Sequence, residues 1–265
     1  MRDGAVIGVI VGLMAAVSLL PPDTSLQELR KGGILRACVP HENAPLVTTD
    51  PDHPGIDVEI LQEIAGALEL RLVLNPNAAI GRELDPRAWL ISRASCHIIG
   101  GGIVTGDVMA SFMQLTAPHL ETGWTVLAPA PMPESLSGLP VGVYVGMLGR
   151  DRLALSRSLR AHGAEVIPVD TDRALAEGLQ SGRFRAGVAD TVLAGAIAAR
   201  GDYATAWLSE DDHSSLAFGL WKGDLTLIRA VEQVLADMQA DGRMAEIIAA
   251  YGVEQPQEAL AATGG

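Results

Sequence analysis

The stretch "IIGGGIVTGDVMASFMQLTAPHLETGW", residues 98–124, indicates how the chain is organised. An apolar couplet runs directly into Gly100, Gly101 and Gly102, a pattern typical of a buried strand whose end is approached closely by another group. No Lys or Arg occurs between Cys96 and Trp124. We therefore expect the glycines to form a cleft wall in which backbone N–H groups, rather than cations, face a ligand.

The residues before this stretch alternate between helical and extended patterns. A short helix "SLQELRKGG" precedes the strand "ILRACVP", and "GIDVEILQEIAGALELRLVLNP" continues as a helix and a second strand. Asp85 and Pro86 carry helix-start signals and predict a helix through Arg93. The third strand, "CHIIGG", completes a β-α-β-α-β order, which predicts a parallel sheet with ligands at the carboxyl ends of its strands.

The second half of the chain repeats this alternation after a Pro-rich connector, residues 129–140. Strands and helices alternate from "VGVYVG" to "TVLAGAIAARG". The segment "SSLAFGLWKGD" then has the pattern of an extended strand, and the remainder that of one long and one shorter helix. Two α/β units joined by extended connectors predict two lobes with a ligand-binding cleft between them.

Composition and motifs exclude several classes of function. The formal net charge of −13 over 265 residues disfavours nucleic acid and anionic membranes as partners. The glycine run lacks the spacing of a nucleotide-binding loop, no G-x-S-x-G nucleophile motif occurs, and the six His match no zinc-site spacing. We therefore expect no cofactor and no metal.

The N-terminal segment, residues 1–22, differs from the rest in composition. An uncharged run from Gly4 to Leu20 follows Arg2 and ends at two prolines, which predicts a signal peptide or an uncleaved N-terminal anchor. We accordingly expect an exported, periplasmic protein.

Cys38 and Cys96 both lie at apolar strands that we interpret as parallel neighbours. The sequence leaves open whether they form a disulfide or remain two buried thiols.

Taken together, these segments resemble the amino-acid-type periplasmic solute-binding proteins (bacterial extracellular solute-binding protein family 3). The resemblance runs from Gly33 to Val253 through "NAPL", "GIDVEIL", "GGGIVTGD", "GVAD" and "LAFGLWKGD". It implies an α/β fold of two lobes with two crossover strands near Trp124 and near Ser215–Phe218. Lobe one would comprise residues 25–122 and 218–265, and lobe two residues 126–212.

The resemblance also implies which positions line the cleft. The arginine with which the family binds an α-carboxylate falls at Met109 or Ala110, whereas the acidic residue that receives the α-amino group is retained as Asp190. We therefore expect a ligand other than a conventionally bound free amino acid, with Arg150 as a substitute cation. The positions implied at the ligand are Glu42, Asn43, Gly101, Gly102, Thr105, Met109, Gly146, Met147, Arg150 and Asp190.

Five of the residues considered have purely structural interpretations. Asp190 is placed to cap the helix "TVLAGAIAA", Arg150 to lie exposed in a first helical turn, and Glu42 to be solvated in a loop. Trp124 is expected in the packing of a core or hinge, and the same expectation applies to Trp89.

The predicted function is capture of a small molecule between the lobes by a monomer that serves an ABC importer through its permease. An alternative follows from "LRACVPHENAPL", "RASCHIIGGGI" and "PHLETGW", which are similar to a subgroup associated with quinoprotein dehydrogenases. That alternative is an accessory protein of a periplasmic dehydrogenase or another enzyme. An enzyme on this fold, such as a periplasmic cyclohexadienyl dehydratase, is not expected, because the cleft offers too few cations and acids.

Overall fold

The computed structural model describes residues 23–253 except 82, 84, 145–151 and 210–212. The predicted signal peptide or anchor, residues 1–22, lies outside the described residues. The helices are α1 Ser25–Gly32, α2 Ile56–Ala67, α3 Asp107–Phe112, α4 Arg152–Ala161, α5 Asp172–Gln180, α6 Thr191–Ala198, α7 Leu225–Asp241 and α8 Arg243–Ala250. The strands are β1 Ile34–Val39, β2 Arg71–Pro76, β3 Ile98–Val104, β4 Gln114–Leu115, β5 Leu120–Pro129, β6 Pro140–Tyr144, β7 Glu165–Val169, β8 Ala186–Asp190, β9 Tyr203–Trp207 and β10 His213–Leu220.

The strands follow the order β2-β1-β3-β10-β5-β8-β6-β7, with β4 beside β10 and β9 beside β5. Strand β1 runs parallel to β2 and β3, and β6 runs parallel to β7 and β8. The two parallel groups are joined through antiparallel pairings of β5 and β10. This arrangement confirms the predicted α/β fold with two lobes and two crossover strands.

Strand β5 changes its pairing partner in the middle of its length. Residues 120–123 pair with residues 213–216 of β10, whereas residues 124–127 pair with residues 187–190 of β8. Strand β10 continues past Leu216 as the antiparallel neighbour of β3. Trp124, only 3% exposed, lies where β5 changes partner, so its interpretation as a packing residue is confirmed.

The apolar residues whose spacing predicted helix α2 all face the protein core. Ile56, Ile60, Leu61 and Ile64 are each fully buried, and they belong to one core with Phe218 of β10. The other lobe has its own aliphatic cores, in which Val141, Val143, Val188 and Leu159 pack together. Each group of parallel strands thus has its own core, as α/β units require, although Val192 of α6 packs in the core of α2.

The helix predicted from Asp85 to Arg93 is wrong. The chain forms only a short 3-10 helix, Pro86–Trp89, which the Asp85 carboxylate caps by accepting the N–H of Arg87 at 3.0 Å. Leu90 then adopts a left-handed conformation with φ of 53°, which ends the helix. Trp89 is 2% exposed and donates its indole N–H to the carbonyl of Glu83 at 2.9 Å. Burial of this Trp fixes the segment as a compact turn.

Cys38 and Cys96 form a disulfide, with their Cα atoms 5.5 Å apart. Cys38 lies in β1, and Cys96 lies two residues before the parallel neighbour β3. The two thiols that the sequence left open as an alternative are therefore not present.

Among the helices of residues 23–253 that the structure describes, none has the length and apolar character needed to cross a bilayer.

Candidate functional site

The glycine run lies in the middle of β3, not at the strand end that the sequence predicted, and the loop that follows β1 approaches it closely. Gly101 and Gly102 have φ angles of 88° and 99°, in the left-handed region that glycine tolerates. A Cβ atom on Gly101 would overlap the Pro40 ring, and one on Gly102 would lie 2.8 Å from Nδ2 of Asn43. The groups that require glycine at these two positions are thus Pro40 and Asn43 of the protein itself.

The N–H groups of these glycines bind a carboxylate from α2. Gly101 and Gly102 donate to Oδ2 of Asp57 at 2.7 and 3.0 Å, and the Asp57 side chain is fully buried. The expectation that these N–H groups face a ligand is therefore wrong, because an internal carboxylate already accepts both. The backbone donors of Gly101 and Gly102 are thus occupied inside the protein.

His119 completes the environment of this carboxylate. Its Nε2 lies 2.9 Å from Oδ1 of Asp57, and its side chain is 1% exposed. Because an ionised carboxylate can only accept hydrogen bonds, Nε2 must carry the proton. The Nδ1 atom is buried and has no hydrogen-bond partner among the residues that the structure describes. The imidazole also stacks on the Phe218 ring at a centroid distance of 4.6 Å.

The Asp57–His119 pair connects four elements around the predicted cleft. Asp57 belongs to the first turn of α2 and binds the β3 glycines, while His119 directly precedes β5 and donates its backbone N–H to Leu216 of β10 at 3.0 Å. Sequence reasoning missed this pair. Sixty-two residues separate the partners, and nothing in their local sequence indicates that they meet.

Asp190 lies at the end of β8, where it pairs with Trp124 of β5. Its carboxylate accepts the backbone N–H of Leu193 at 3.0 Å, so the predicted N-cap of α6 is confirmed. Nearby, the hydroxyl groups of Thr125 and Thr191 lie 3.0 Å apart, and both residues are fully buried. Asp190 is 5% exposed, and its contact with a ligand stays a prediction.

The remaining predicted positions fall in different environments. Glu42 is exposed, and half-buried Asn43 donates its side-chain amide to the carbonyl of Gly101 at 3.0 Å. Half-buried Thr105 donates its backbone N–H to Ser215 of β10 at 2.8 Å. Met109 is 7% exposed and packs in the core that contains Trp89. Gly146, Met147 and Arg150 lie outside the described residues.

The environment of Met109 has a chemical consequence. A thioether in an apolar core supplies no charge for an anionic ligand, so this position does not substitute for the arginine that the resemblance implies.

The core position of Trp89 agrees with its expected role in packing. Within the part of the chain that the structure describes, no group of three or more His, Cys, Asp or Glu residues is arranged to hold a metal ion.

No protein-family model and no curated protein sequence matches the chain significantly. Solved structures do match over most of its length. An ancestral cationic amino acid solute-binding protein, AncCDT-1, has a TM-score of 0.72 and 20% identity, covering 86% of this chain and 99% of its own. The fold is that of the two-lobe solute-binding proteins.

Other structures with the solute-binding-protein fold agree with this match. Substrate-binding domain 2 of GlnP from Lactococcus lactis, in an open conformation, has a TM-score of 0.66 and 18% identity, covering 84% of this chain and 97% of its own. The amino acid ABC transporter substrate-binding protein AbpA from Streptococcus pneumoniae, bound to L-arginine, has a TM-score of 0.61 and 17% identity, covering 86% and 100%. AncCDT-1 is also described as a precursor of cyclohexadienyl dehydratase. Identities this low establish the fold alone.

Proposed function

We propose that this protein is an exported solute-binding protein that captures a small molecule between its lobes and presents it to the permease of an ABC importer. The observation that carries the proposal is the two-lobe fold with crossover strands β5 and β10, shared with proteins named for amino acid binding. The proposed lobes are residues 25–122 with 218–265, and residues 126–212. No catalytic step is part of the proposal.

The mechanism follows from the way the strands connect the lobes. Strands β5 and β10 pair with each other between the two parallel groups, so rotation of one lobe against the other is expected at residues 120–124 and 213–218. A ligand that contacts both lobes binds the closed form more tightly than the open form. It therefore shifts the population toward closure by that difference in affinity. The closed form is what a partner would recognise.

The chemistry of the wall argues against a conventionally bound α-amino acid. Residues 97–123 contain no Lys or Arg, and Asp57 occupies the N–H groups of Gly101 and Gly102. Desolvating a ligand carboxylate at this wall without a partner would cost several kcal/mol, roughly 2–7 for a polar group and more for a charge. A small, polar or partly apolar ligand that lacks a carboxylate on this side is favoured.

The proposed ligand contacts are distributed over both lobes. Asn43, Thr105 and exposed Glu42 lie at the carboxyl-end loops of lobe one, where β1 and β3 finish. Asp190 lies at the end of β8 in lobe two and would accept a donor from the ligand. Gly146, Met147 and Arg150 remain proposed contacts from the segment that follows β6.

The disulfide supports the proposed location outside the cytoplasm. Both cysteines of the chain are used in the Cys38–Cys96 bond, and such bonds persist in oxidising compartments such as the periplasm. The predicted signal or anchor in residues 1–22 agrees with export.

The proposal is tested by a thermal-shift scan of the domain from Asp23 onward against amino acids, short-chain acids, alcohols and polyamines. A ligand at about one hundred times its dissociation constant adds about 2.7 kcal/mol of stability, which raises the melting temperature by several degrees. We expect one chemical class to give a saturable shift. A flat response to the whole panel would contradict solute capture.

An accessory role beside a quinoprotein dehydrogenase is the second candidate. It is favoured by the burial of Met109 and by the use of the glycine N–H groups inside the protein, because both reduce the groups left for a ligand. Affinity capture with the purified domain distinguishes the two functions. A stable dehydrogenase partner together with a flat ligand scan supports the accessory role, and a saturable ligand without such a partner supports solute capture.

A further inference from the structure

Helix α4 combines basic and apolar side chains in a chain that is otherwise strongly acidic. Its sequence, "RLALSRSLRA", contains three arginines and no acidic residue, whereas the whole chain has a net charge of −13. Arg157 and Arg160 are exposed, and Leu155 and Leu159 are buried toward the sheet. This helix is therefore a local basic site on lobe two, where an anion would be attracted.

A groove of about 360 Å³ lies between α4 and strands β6 and β7. Ligand sites in proteins typically occupy roughly 300–1,000 Å³, so the groove is large enough for one small molecule. Apart from Ser156 and Arg160, its lining is apolar and comes from Val143, Leu155, Leu159, Ala164, Val166 and Pro168. An apolar lining of this kind favours a hydrocarbon chain over a polar metabolite.

Arg160 supplies a charge at the edge of the groove. Its guanidinium has no hydrogen-bond or ion-pair partner among the residues that the structure describes, in contrast to Arg173, which binds Glu177 at 2.7 Å. A guanidinium presents several N–H donors in the planar arrangement that a carboxylate accepts. The groove thus combines an apolar lining with the guanidinium of Arg160 at its edge.

We propose that this groove binds a small amphiphilic carboxylate, with its hydrocarbon chain between α4 and the sheet and its carboxylate on Arg160. The groove shares no residue with the positions proposed for the cleft between the lobes. Solute capture and this second site can therefore fail or succeed independently.

The test compares octanoate with heptan-1-ol by titration calorimetry, using the wild-type domain and Arg160→Gln. The two probes share a heptyl chain and differ in the head group. Because Arg160 is exposed, its pairing with a carboxylate is expected to favour octanoate by up to about fivefold. This preference should disappear in Arg160→Gln. It should persist in Arg157→Gln, which removes a charge from the same helix but not from the groove.

Two further measurements separate the groove from general adsorption of an amphiphile. Each methylene added from butanoate to octanoate should tighten binding by up to about fourfold. The variant Ala164→Phe, which places a ring in the groove at a half-buried position, should abolish binding while retaining the wild-type circular dichroism spectrum. If that variant unfolds, Ser156→Leu provides the same blockade from α4.

The proposal is overturned if octanoate does not bind the wild-type domain, or if it binds no better than heptan-1-ol. It is also overturned if Arg160→Gln retains the preference for octanoate, or if a folded groove-filling variant binds octanoate as well as the wild type does. None of these outcomes depends on the ligand of the inter-lobe cleft.

Discussion

Asp57 determines which group the backbone N–H donors of Gly101 and Gly102 bind. Its carboxylate accepts two backbone N–H groups and the Nε2–H of His119, so three buried donors depend on it. A ligand carboxylate at the same place would need the same donors. The Asp57 carboxylate thus occupies the position beside the glycine N–H groups at which the sequence predicted a ligand.

Replacing Asp57 by Ala should therefore cost about 3–5 kcal/mol of unfolding free energy, because it leaves buried donors without an acceptor. His119→Phe should cost less, about 2 kcal/mol, since the carboxylate keeps both glycine N–H groups and a ring still stacks on Phe218. Urea unfolding of the two variants measures the difference. Equal losses, or a larger loss in His119→Phe, would show that Asp57 does not organise the glycines.

Asp190 combines a structural role with a proposed functional one, and two substitutions separate them. Asp190→Ala removes the cap of α6 and should lower the unfolding free energy by about 1 kcal/mol. Asp190→Ser keeps a capping oxygen and should be nearly as stable as the wild type. Both variants should bind the ligand identified in the thermal-shift scan at least tenfold more weakly. Wild-type affinity in Asp190→Ser would exclude the carboxylate as a ligand contact.

At the scale of elements, Asp23 links the starts of α1 and α7. Its carboxylate accepts the backbone N–H of Ser25 at 3.0 Å and that of Thr226 at 2.5 Å. Burial raises the pKa of Asp23, but the hydrogen bonds from Thr226 and Ser25 outweigh it and lower this pKa to about 2. The two helices are therefore held together by an ionised carboxylate.

Because the pKa of Asp23 is lower in the folded state than its ordinary value of 3.8, its stabilising effect is present above pH 3.8. This effect is lost as the pH falls toward 2. The difference in unfolding free energy between the wild type and Asp23→Asn should accordingly be largest near pH 5 and should shrink by pH 2. Chemical denaturation at several pH values measures it. A difference that does not change with pH would contradict this assignment.

Sequence patterns predicted the elements whose signals are local and repeated. The apolar spacing from Ile56 to Leu68 predicted α2, and Thr191 to Ala198 forms a helix behind its predicted cap at Asp190. The helix predicted after Asp85 failed, because its start signal is local but its length depends on the burial of Trp89. Strand β9 was missed, because it is stabilised by pairing with β5, which is distant from it in the sequence.

The candidate site was less predictable than the fold, for the same reason. The contact of Asp57 with His119 joins residues 62 positions apart, and only the tertiary structure brings them within 2.9 Å. Likewise, the spacing of Cys38 and Cys96 does not determine the 5.5 Å between their Cα atoms, so the disulfide could not be chosen over two thiols. The cap at Asp190 was predicted because a cap depends on adjacent residues alone.

For the whole molecule, the proposed capture of a ligand depends on movement between two lobes. Strand β10 pairs with β3 of one parallel group, β5 pairs with β8 of the other, and their mutual pairing covers residues 120–123 and 213–216. Because both native cysteines are used in the disulfide, a spin label can be attached selectively to cysteines introduced elsewhere. Val108 in the proposed lobe one and Arg173 in the proposed lobe two are both exposed and suit this purpose.

The most direct measurement is the distance between spin labels on Val108→Cys and Arg173→Cys, recorded with and without the pooled solutes of the thermal-shift panel. We expect the pool to shift the distance distribution to one narrower population, in a saturable manner, and a single class of solute to reproduce the shift. An unchanged distribution across the whole panel, at concentrations that saturate any thermal shift, would contradict ligand capture by closure of the lobes.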